Sequence, residues 1–178
     1  MLWNGTAHFT DDGGGLMNME TSSHSKGWMG MTQALSQPGD AITGGCQCGA
    51  VRYRLDGAVL KTYICHCREC QKQSASAFGI SVRVHGADIV ITQGQVKTWQ
   101  RPTDSGRVLA CHFCPDCGSR LFHGDLVGDE PVSIKGGSLD VMPDLSGVDH
   151  IWIARQIQGI AIPTDARTHF GEPEDETG

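Results

Sequence analysis

Eight cysteines are the residues whose types and spacing point most directly to chemistry in this chain. They form three short clusters, which are Cys46-x-Cys48, Cys65-x-Cys67-x-x-Cys70 and Cys111-x-x-Cys114-x-x-Cys117. Such spacings are typical of zinc sites, whereas four disulfides require an oxidising compartment. The first 45 residues contain no apolar stretch long enough for an export signal. The sequence therefore predicts a cytoplasmic protein that binds metal through its thiolates.

The first and third clusters together suggest a closed site of four thiols. In an extended strand, residues two apart point to the same side, so Cys46 and Cys48 should present both sulfurs to one point. The segment Cys114-Pro115-Asp116-Cys117-Gly118 is typical of a zinc knuckle, because proline fixes the turn and glycine adopts a positive φ. Four sulfur ligands are the pattern of structural zinc. The predicted structural ligands are Cys46, Cys48, Cys114 and Cys117.

The middle cluster offers three thiols, Cys65, Cys67 and Cys70, without an obvious fourth ligand. A zinc ion with three protein ligands keeps a position for water or substrate, which is the arrangement of catalytic zinc. An alternative division uses all eight cysteines in two closed sites, with Cys111 completing the second. The competing interpretation of Cys111, which falls in an alternating strand, is a small buried apolar residue.

The histidines near the clusters have a structural interpretation in this pattern. His66 alternates with the cysteines on either side of it, so its ring should project to the opposite side of the strand. His112, His123 and His150 have no ligand-like spacing to one another. We expect these side chains to be packed or to lie at the surface.

Charge and composition exclude several classes of protein. The formal charge is −6, from 14 Lys and Arg against 20 Asp and Glu, and no basic stripe is present. Nucleic-acid binding is therefore not expected. No apolar run approaches the roughly 18 residues of a membrane span, so no membrane association is expected. With 24 glycines and 6% aromatic residues, short strands joined by glycine turns are favoured over long helices.

Alternating apolar and polar residues predict an all-β domain with at most one short helix. A helical turn is expected at Glu69–Ser76, directly after the second cysteine cluster. The predicted strands are Val51–Leu55, Lys61–Cys65, Phe78–Val84, Ile89–Ile91, Val96–Trp99, Val108–Phe113, Arg120–His123, Val132–Lys135, Ile151–Ala154 and Gln158–Ile162.

The alternation begins only at Gly44, and this change divides the chain. Residues 1–43 have no sustained period and are expected to form a poorly ordered extension. If translation starts at Met29 or Met31, the first thirty or so residues come from a wrongly assigned gene start and are not part of the protein. The zinc domain is expected to cover residues 44–170, and residues 171–178 form an acidic tail.

Three motifs resemble those of the glutathione-dependent formaldehyde-activating (GFA) family, whose domain also occurs in centromere protein V. The opening motif is Gly44-Gly45-Cys46-Gln47-Cys48-Gly49-Ala50-Val51-Arg52-Tyr53. The second motif runs from Cys65 to Ser74, and the third is Phe113-Cys114-Pro115-Asp116-Cys117-Gly118-Ser119. Gly137–Asp140 and His150–Trp152 are weaker matches to later strands. The resemblance covers about residues 44–165, with the motifs in the family's order.

The resemblance implies a β-tent-like fold in which a structural zinc pins small antiparallel sheets together. It implies two Zn²⁺ ions per chain, one at the four cysteines named above and a catalytic one at Cys65, Cys67 and Cys70. The activity it implies is that of S-(hydroxymethyl)glutathione synthase, a carbon–sulfur lyase that acts on glutathione and formaldehyde. The expected partners are a glutathione-like thiol and a small aldehyde.

The chemistry of a three-thiolate zinc favours a sulfur ligand at the remaining position, so we expect a thiol substrate to bind there. Gln73 and Ser74 either orient that substrate from the start of a short helix or cap the helix in solvent. The sequence offers no convincing general base. The alternative function is a non-catalytic, zinc-stabilised thiol carrier or protein-binding module. A methionine-sulfoxide reductase would need a later redox cysteine, and none follows Cys117.

Overall fold

A computed structural model describes residues 41–103, 106–128 and 130–173. Within these ranges the chain forms ten strands and a single α-helix. The elements are β1 (Ile42–Gly45), β2 (Arg52–Leu55), β3 (Lys61–Cys65), α1 (Arg68–Ser74), β4 (Gly79–His85), β5 (Ile89–Gln93), β6 (Lys97–Pro102), β7 (Val108–Phe113), β8 (Arg120–His123), β9 (Pro131–Lys135) and β10 (Asp149–Ile151). Three 3-10 turns lie at Gly86–Asp88, Gly136–Ser138 and Ile153–Arg155.

The strands form two sheets. The smaller sheet has the order β1-β2-β5, and the larger one has the order β10-β3-β4-β9-β8-β7-β6. Every neighbouring pair is antiparallel except β10 and β3, which run parallel. The prediction of an all-β fold of small antiparallel sheets with one short helix is confirmed.

The apolar core contains residues from both sheets. Tyr53 of β2 packs edge-on against Phe122 of β8, with ring centroids 4.8 Å apart. The Tyr53 hydroxyl forms a hydrogen bond of 2.7 Å with Ser138 Oγ, so the one polar atom of this ring is satisfied. Val82 and Ile134 are cross-strand partners in the same core and are fully buried. Burial of each such side chain contributes about 1.5–3 kcal/mol.

The opposite face of the larger sheet is polar. Ser81 is the cross-strand partner of Lys135, while Ser133 faces His123, and His123 in turn faces Cys111. All five side chains are buried. Because side chains alternate along a strand, the apolar positions between these residues form the core while the polar ones cover the other side. Of these five residues, Lys135 lines the cavity described below.

Local geometry explains where the strands differ from the expected ones. Strand β1 was not predicted, because its sequence Ile42-Thr43-Gly44-Gly45 has few side chains to pack. Gly44 is needed there, since a Cβ would overlap the Tyr53 hydroxyl and the Ser138 carbonyl. The strand predicted at Ile151–Ala154 was wrong beyond Ile151, because Trp152 adopts a φ of 58° and starts a 3-10 turn.

The strand predicted at Gln158–Ile162 was also wrong, since that segment forms a turn and irregular backbone. The chain beyond it returns to β10, where His169 N donates to His150 O at 2.8 Å. Residues 1–40 of the predicted extension and residues 174–178 of the acidic tail lie outside the described residues. Among the helices described, none is long and apolar enough to cross a membrane.

Candidate metal centres

Two similar turns bring the first four cysteines together. Cys46 follows β1 and Cys114 follows β7. Gly49 N donates to Cys46 O at 3.1 Å, and Gly118 N donates to Cys114 O at 3.0 Å. Both glycines adopt a positive φ, 79° and 73°, as the sequence predicted for Gly118. The extended strand expected at the first pair was wrong, because β1 ends at Gly45 and the next residues turn.

The sulfurs of Cys46, Cys48, Cys114 and Cys117 all lie within 4.8 Å of one another. Cys46 Sγ is 3.4 Å from Cys48 Sγ, which is 3.8 Å from Cys114 Sγ. Sulfurs placed tetrahedrally at the usual zinc distance lie about 3.8 Å apart, so this donor set fits a zinc ion. Cys46 and Cys114 are buried, whereas Cys48 and Cys117 are exposed at the surface.

Hydrogen bonds from neighbouring groups give these thiols different pKa values. A hydrogen bond with the Ser119 hydroxyl, at 3.2 Å, is the main reason why the pKa of Cys117 falls to about 5. The amide of Ala50 lowers the pKa of Cys48, but the neighbouring thiols Cys46 and Cys117 outweigh it and raise that pKa to about 12. Adjacent thiolates repel one another, so a cation is needed before all four sulfurs can be ionised together.

Cys65, Cys67 and Cys70 form a second group, whose sulfurs also lie within 4.8 Å of one another. Cys65 ends β3, and Cys67 is the N-cap of α1, with its sulfur accepting from Cys70 N at 3.4 Å. The pKa of Cys67 is lowered mainly by hydrogen bonds from the other two thiols, and the pKa of Cys65 is raised by the same coupling. A bound divalent cation would stabilise all three sulfurs as thiolates, so that none of them would have to keep its proton.

No fourth donor joins the second group within the part of the chain that the structure describes. Cys111 is fully buried on β7 and belongs to neither group, with Leu109 O 3.7 Å from its sulfur. The His66 ring points to β10, where its Nε2 forms a hydrogen bond of 2.9 Å with His150 Nδ1. The eight cysteines thus lie as a group of four, a group of three and Cys111 alone.

Gln71 fixes the short helix that carries Cys70. Its side-chain amide donates to His66 O at 2.7 Å and to Arg155 O at 2.8 Å. A seven-residue helix is not stable alone, so these bonds to the backbone on either side hold it in place. The helix ends at Ala75, which adopts a left-handed φ of 49°.

A cavity of about 630 Å³ adjoins the first cysteine group directly and the second group only through Gly79. Cys46 and Cys117 line one part of it, and Gly79, which touches the second group, lines another. A Cβ at Gly79 would lie 3.5 Å from Cys70 Sγ and 3.5 Å from Lys135 Nζ. The absence of a side chain at residue 79 therefore leaves room between a thiol of the second group and a lysine.

Gln73 and Ser74 line this cavity from the last turn of α1, so their expected position at the start of a helix was wrong. The Ser74 hydroxyl is near the Cys70 and Phe78 carbonyls, at 2.7 and 2.8 Å, and caps the helix end. Neither Nε2 nor Oε1 of Gln73 has a hydrogen-bond partner among the described residues, although both atoms are buried. Because neither atom is accessible at the cavity surface, a role of Gln73 in contacting a ligand stays a prediction.

Lys135 also lines the cavity, although its sequence position did not mark it as a site residue. Its side chain is 8% exposed, and its ammonium donates to Ser81 Oγ at 3.1 Å. A polar residue at the end of Val132-Ser133-Ile134-Lys135, where apolar and polar residues alternate, was the available signal. That pattern is also typical of a lysine exposed on the outer face of a sheet, so the signal was ambiguous.

The comparison with protein families matched residues 41–155 to the family described as glutathione-dependent formaldehyde-activating enzyme, GFA. The match covers well over half of the chain and includes both cysteine groups. The chain belongs to this family. As a GFA-family protein it has cysteine groups whose donor sets and spacings are compatible with zinc.

Two other comparisons add little to this assignment. The search of curated proteins found no match for this GFA-family chain. A solved structure of a Rhodobacter sphaeroides protein is similar to it, with 22% sequence identity and a TM-score of 0.47. That similarity covers 61% of this chain and 98% of the other.

Proposed function

We propose that this GFA-family protein is a zinc-dependent carbon–sulfur lyase that acts on a glutathione-like thiol and a small aldehyde such as formaldehyde, as an S-(hydroxymethyl)glutathione synthase does. One observation carries the proposal. Three thiols, Cys65, Cys67 and Cys70, lie together, and no fourth donor completes their group within the described residues. Such an incomplete ligand set is typical of catalytic rather than structural zinc. Gly79, which lines a cavity, separates that cavity from Cys70.

In this proposal Cys65, Cys67 and Cys70 hold the catalytic zinc, and Cys46, Cys48, Cys114 and Cys117 hold the structural one. Zinc would supply Lewis acidity and would favour the thiolate form of a bound thiol. The protein supplies the position of that thiol. Gln71 fixes α1, and α1 in turn fixes Cys70 next to the space above Gly79.

The proposed reaction joins the substrate sulfur to the aldehyde carbon. The carbon–sulfur bond forms while the carbonyl π bond breaks, and the thiol proton ends on the oxygen, which becomes the hydroxyl of the adduct. No atom is lost and no oxidant is needed, and the reverse reaction is the lyase direction. The Lys135 ammonium is near the sulfur of Cys70 and would stabilise negative charge that develops on the aldehyde oxygen.

The metal-like spacing of the cysteines supports a cytoplasmic location for this reaction. No disulfide joins any of the eight cysteines, which all lie within the described residues. Clustered thiols with this spacing would oxidise in a secretory compartment, whereas a reducing cytoplasm keeps them available for metal. We therefore place the proposed reaction in the cytoplasm.

Exchange NMR spectroscopy tests the proposed activity. Formaldehyde and glutathione form their adduct spontaneously, so the interconversion rate is compared with and without the zinc-loaded protein. We expect the protein to accelerate exchange, and Cys70→Ser to abolish the acceleration. Cys111→Ser is the matched control, because it removes a buried thiol outside both groups, and it should keep most of the acceleration. Thiol binding without acceleration would contradict the enzyme and indicate a thiol carrier.

A further inference from the structure

Trp152 has a backbone conformation that a bulky residue rarely adopts. It directly follows β10, and its φ and ψ of 58° and 38° lie in the left-handed region. A residue with a Cβ is strained there, because that atom comes too close to the following carbonyl oxygen. Such strain persists only where the surrounding structure imposes it, and it is most frequent at functional sites. The contacts of Trp152 therefore indicate what its turn is for.

Contacts on three sides hold Trp152 in this conformation. Its indole Nε1 donates to Glu172 Oε2 at 2.6 Å, and its backbone N donates to Gly171 O at 3.1 Å. The guanidinium carbon of Arg155 lies 4.9 Å from the centroid of its ring. Arg155 N also donates to Trp152 O at 3.0 Å and so closes the 3-10 turn. Gly171 and Glu172 lie beyond the part of the chain that matches the family, which ends at residue 155.

The turn presents one carbonyl oxygen to the second cysteine group. Arg155 O accepts from Gln71 Nε2 at 2.8 Å, and the same amide nitrogen donates to His66 O at 2.7 Å. In the sequence, His66 lies between two of the three thiols, and Gln71 directly follows the third. Gln71 is buried, so a bond lost here would not be readily replaced by one to water. One amide group thus joins the turn to both parts of the second cysteine group.

The strand before the turn contacts the same part of the cysteine group. His66 N donates to Ile151 O at 3.0 Å, and His66 Nε2 forms a hydrogen bond of 2.9 Å with His150 Nδ1. Ile151 is also the cross-strand partner of Cys65. Trp152 lies between this strand and the carbonyl that Gln71 reaches. Its backbone conformation therefore decides whether the contacts of the strand and of the turn can form together.

We propose that Trp152 is a positioning residue for the second cysteine group, and that its bond to Glu172 strengthens metal binding by that group. The inference rests on the proposed function in one respect, which is that the group holds zinc, and it does not depend on the reaction. Groups that orient metal ligands from behind affect metal affinity although they do not touch the ion. The path runs from Glu172 through Trp152 to the turn, and from the turn through Gln71 to the thiols.

Competition with a chromophoric chelator measures the zinc affinity of each cysteine group in the full chain. The ion of the second group is the one that Cys70→Ser lacks. We expect Gln71→Met to weaken binding of this ion by about tenfold, because Gln71 contacts the ligand segment directly. Glu172→Ala should weaken it by about fivefold, because it removes an exposed, charge-assisted hydrogen bond. The ion of the first group should be bound as tightly as in the wild type.

A double variant tests whether the effect of Glu172 passes along the proposed path. Once Gln71→Met has removed the bond to the Arg155 carbonyl, the turn no longer reaches the thiols through that amide. Glu172→Ala should therefore add little to the effect of Gln71→Met. Independent effects that multiply to about fiftyfold would contradict the path.

Substitutions of Trp152 itself separate its ring from its backbone. Trp152→Phe keeps a ring beside Arg155 but loses the indole N–H, so it should resemble Glu172→Ala. Trp152→Gly adopts the left-handed conformation without strain, whereas Trp152→Val does not tolerate it. We therefore expect Trp152→Val to weaken the second ion more than Trp152→Gly does.

A matched control separates positioning from general stability. Asp144→Ala removes an exposed carboxylate that accepts from Ser146 N, and it should leave the affinity of both groups unchanged. The proposal is contradicted if Glu172→Ala and Trp152→Phe bind the second ion within twofold of the wild type, or if they weaken both ions equally. A selectively weakened second ion, in a protein whose wild type does not accelerate the exchange of glutathione and formaldehyde, would support the positioning role and contradict the enzyme.

Discussion

Cys70 Sγ and Lys135 Nζ lie on either side of the space that a side chain at Gly79 would occupy. Each atom is 3.5 Å from the Cβ position of that glycine, so the two are no more than twice that distance apart. Cys70 belongs to an incomplete group of thiols, and Lys135 is a buried cation without a carboxylate partner among the described residues. The arrangement therefore places a positive charge close to a thiol of the three-cysteine group.

The first prediction concerns a variant whose side chain fills this space. Gly79→Ala should fold, because the backbone there does not need a positive φ, although the Cβ would lie 3.1 Å from Cys70 Cβ. We expect kcat/KM for the proposed reaction to fall by about tenfold or more, since small shifts at a reacting group are costly. Gly137→Ala is the matched control, because it lines the same cavity but nothing lies within 4 Å of its Cβ position. Equal kinetics for both variants would contradict the importance of this space.

The two cysteine groups should differ in what their loss does to the protein. Cys117→Ser should unfold the domain or make it insoluble, because the four-thiol group joins the turn after β1 to the turn after β7. Cys70→Ser should remain folded and bind one zinc ion per chain instead of two. Metal analysis and thermal melting of both variants check this. Similar solubility and melting temperatures for the two variants would mean that the roles are assigned wrongly.

An acid-dependent ion pair should stabilise the edge of the larger sheet. Asp149 of β10 is bonded to Arg167 at 2.8 Å and to Lys61 at 2.7 Å, and these contacts, chiefly that of Arg167, hold its pKa well below the usual value. The stabilisation is present above the unfolded pKa of 3.8 and is lost as pH falls towards the folded value. Asp149→Asn should reduce the free energy of unfolding by about 1 kcal/mol at pH 7, because both cations are partly exposed.

Denaturant unfolding of Asp149→Asn at several pH values provides the measurement. The difference from wild type should shrink as pH falls below 4, since Asp149 then takes up a proton in the unfolded wild type while it stays charged in the folded one. Asp56→Asn is the control, because Asp56 forms an exposed pair with Arg54 and should have no measurable effect. A stability difference that is constant from pH 7 to pH 3 would contradict the electrostatic explanation.

Residues 1–40 are predicted to be dispensable for the zinc domain, and removal of the first thirty of them tests most of this segment. Their sequence lacks the apolar periodicity needed to add to a core. A shortened chain that begins at Met31 should have the same melting temperature and zinc content as the full chain. A decrease in melting temperature of more than a few degrees would show that the removed residues contribute to stability.

The sequence was sufficient for the features that depend on local chemistry. The spacing of the cysteines predicted their division into four and three, and alternation predicted β3, β7 and β8 with their observed bounds. Gly118 was expected to adopt a positive φ because a tight turn follows the knuckle, and it does. These features involve neighbours in the chain, so their patterns are visible without the fold.

Features that depend on long-range packing were not predicted. Strand β1 contains two glycines, so its sequence shows no alternation of side chains. The reason for Gly44 is a long-range contact, because Tyr53 and Ser138 approach its backbone closely. The parallel pairing of β10 with β3 joins residues far apart in the chain. The local sequence pattern of Lys135 is that of a surface residue, and the pairing of β9 with β4 is needed to show that it is buried.

The most direct test of the account is to add thiols stepwise to the cobalt-substituted protein and to record its absorption spectrum. The central claim is that the metal held by Cys65, Cys67 and Cys70 accepts a thiol as its next ligand. Adding glutathione should strengthen the thiolate-to-cobalt charge-transfer band in the wild type and in Cys111→Ser, because a further sulfur binds the metal. Cys70→Ser should lose that change. An unchanged band in the wild type with glutathione and other biological thiols would contradict the claim.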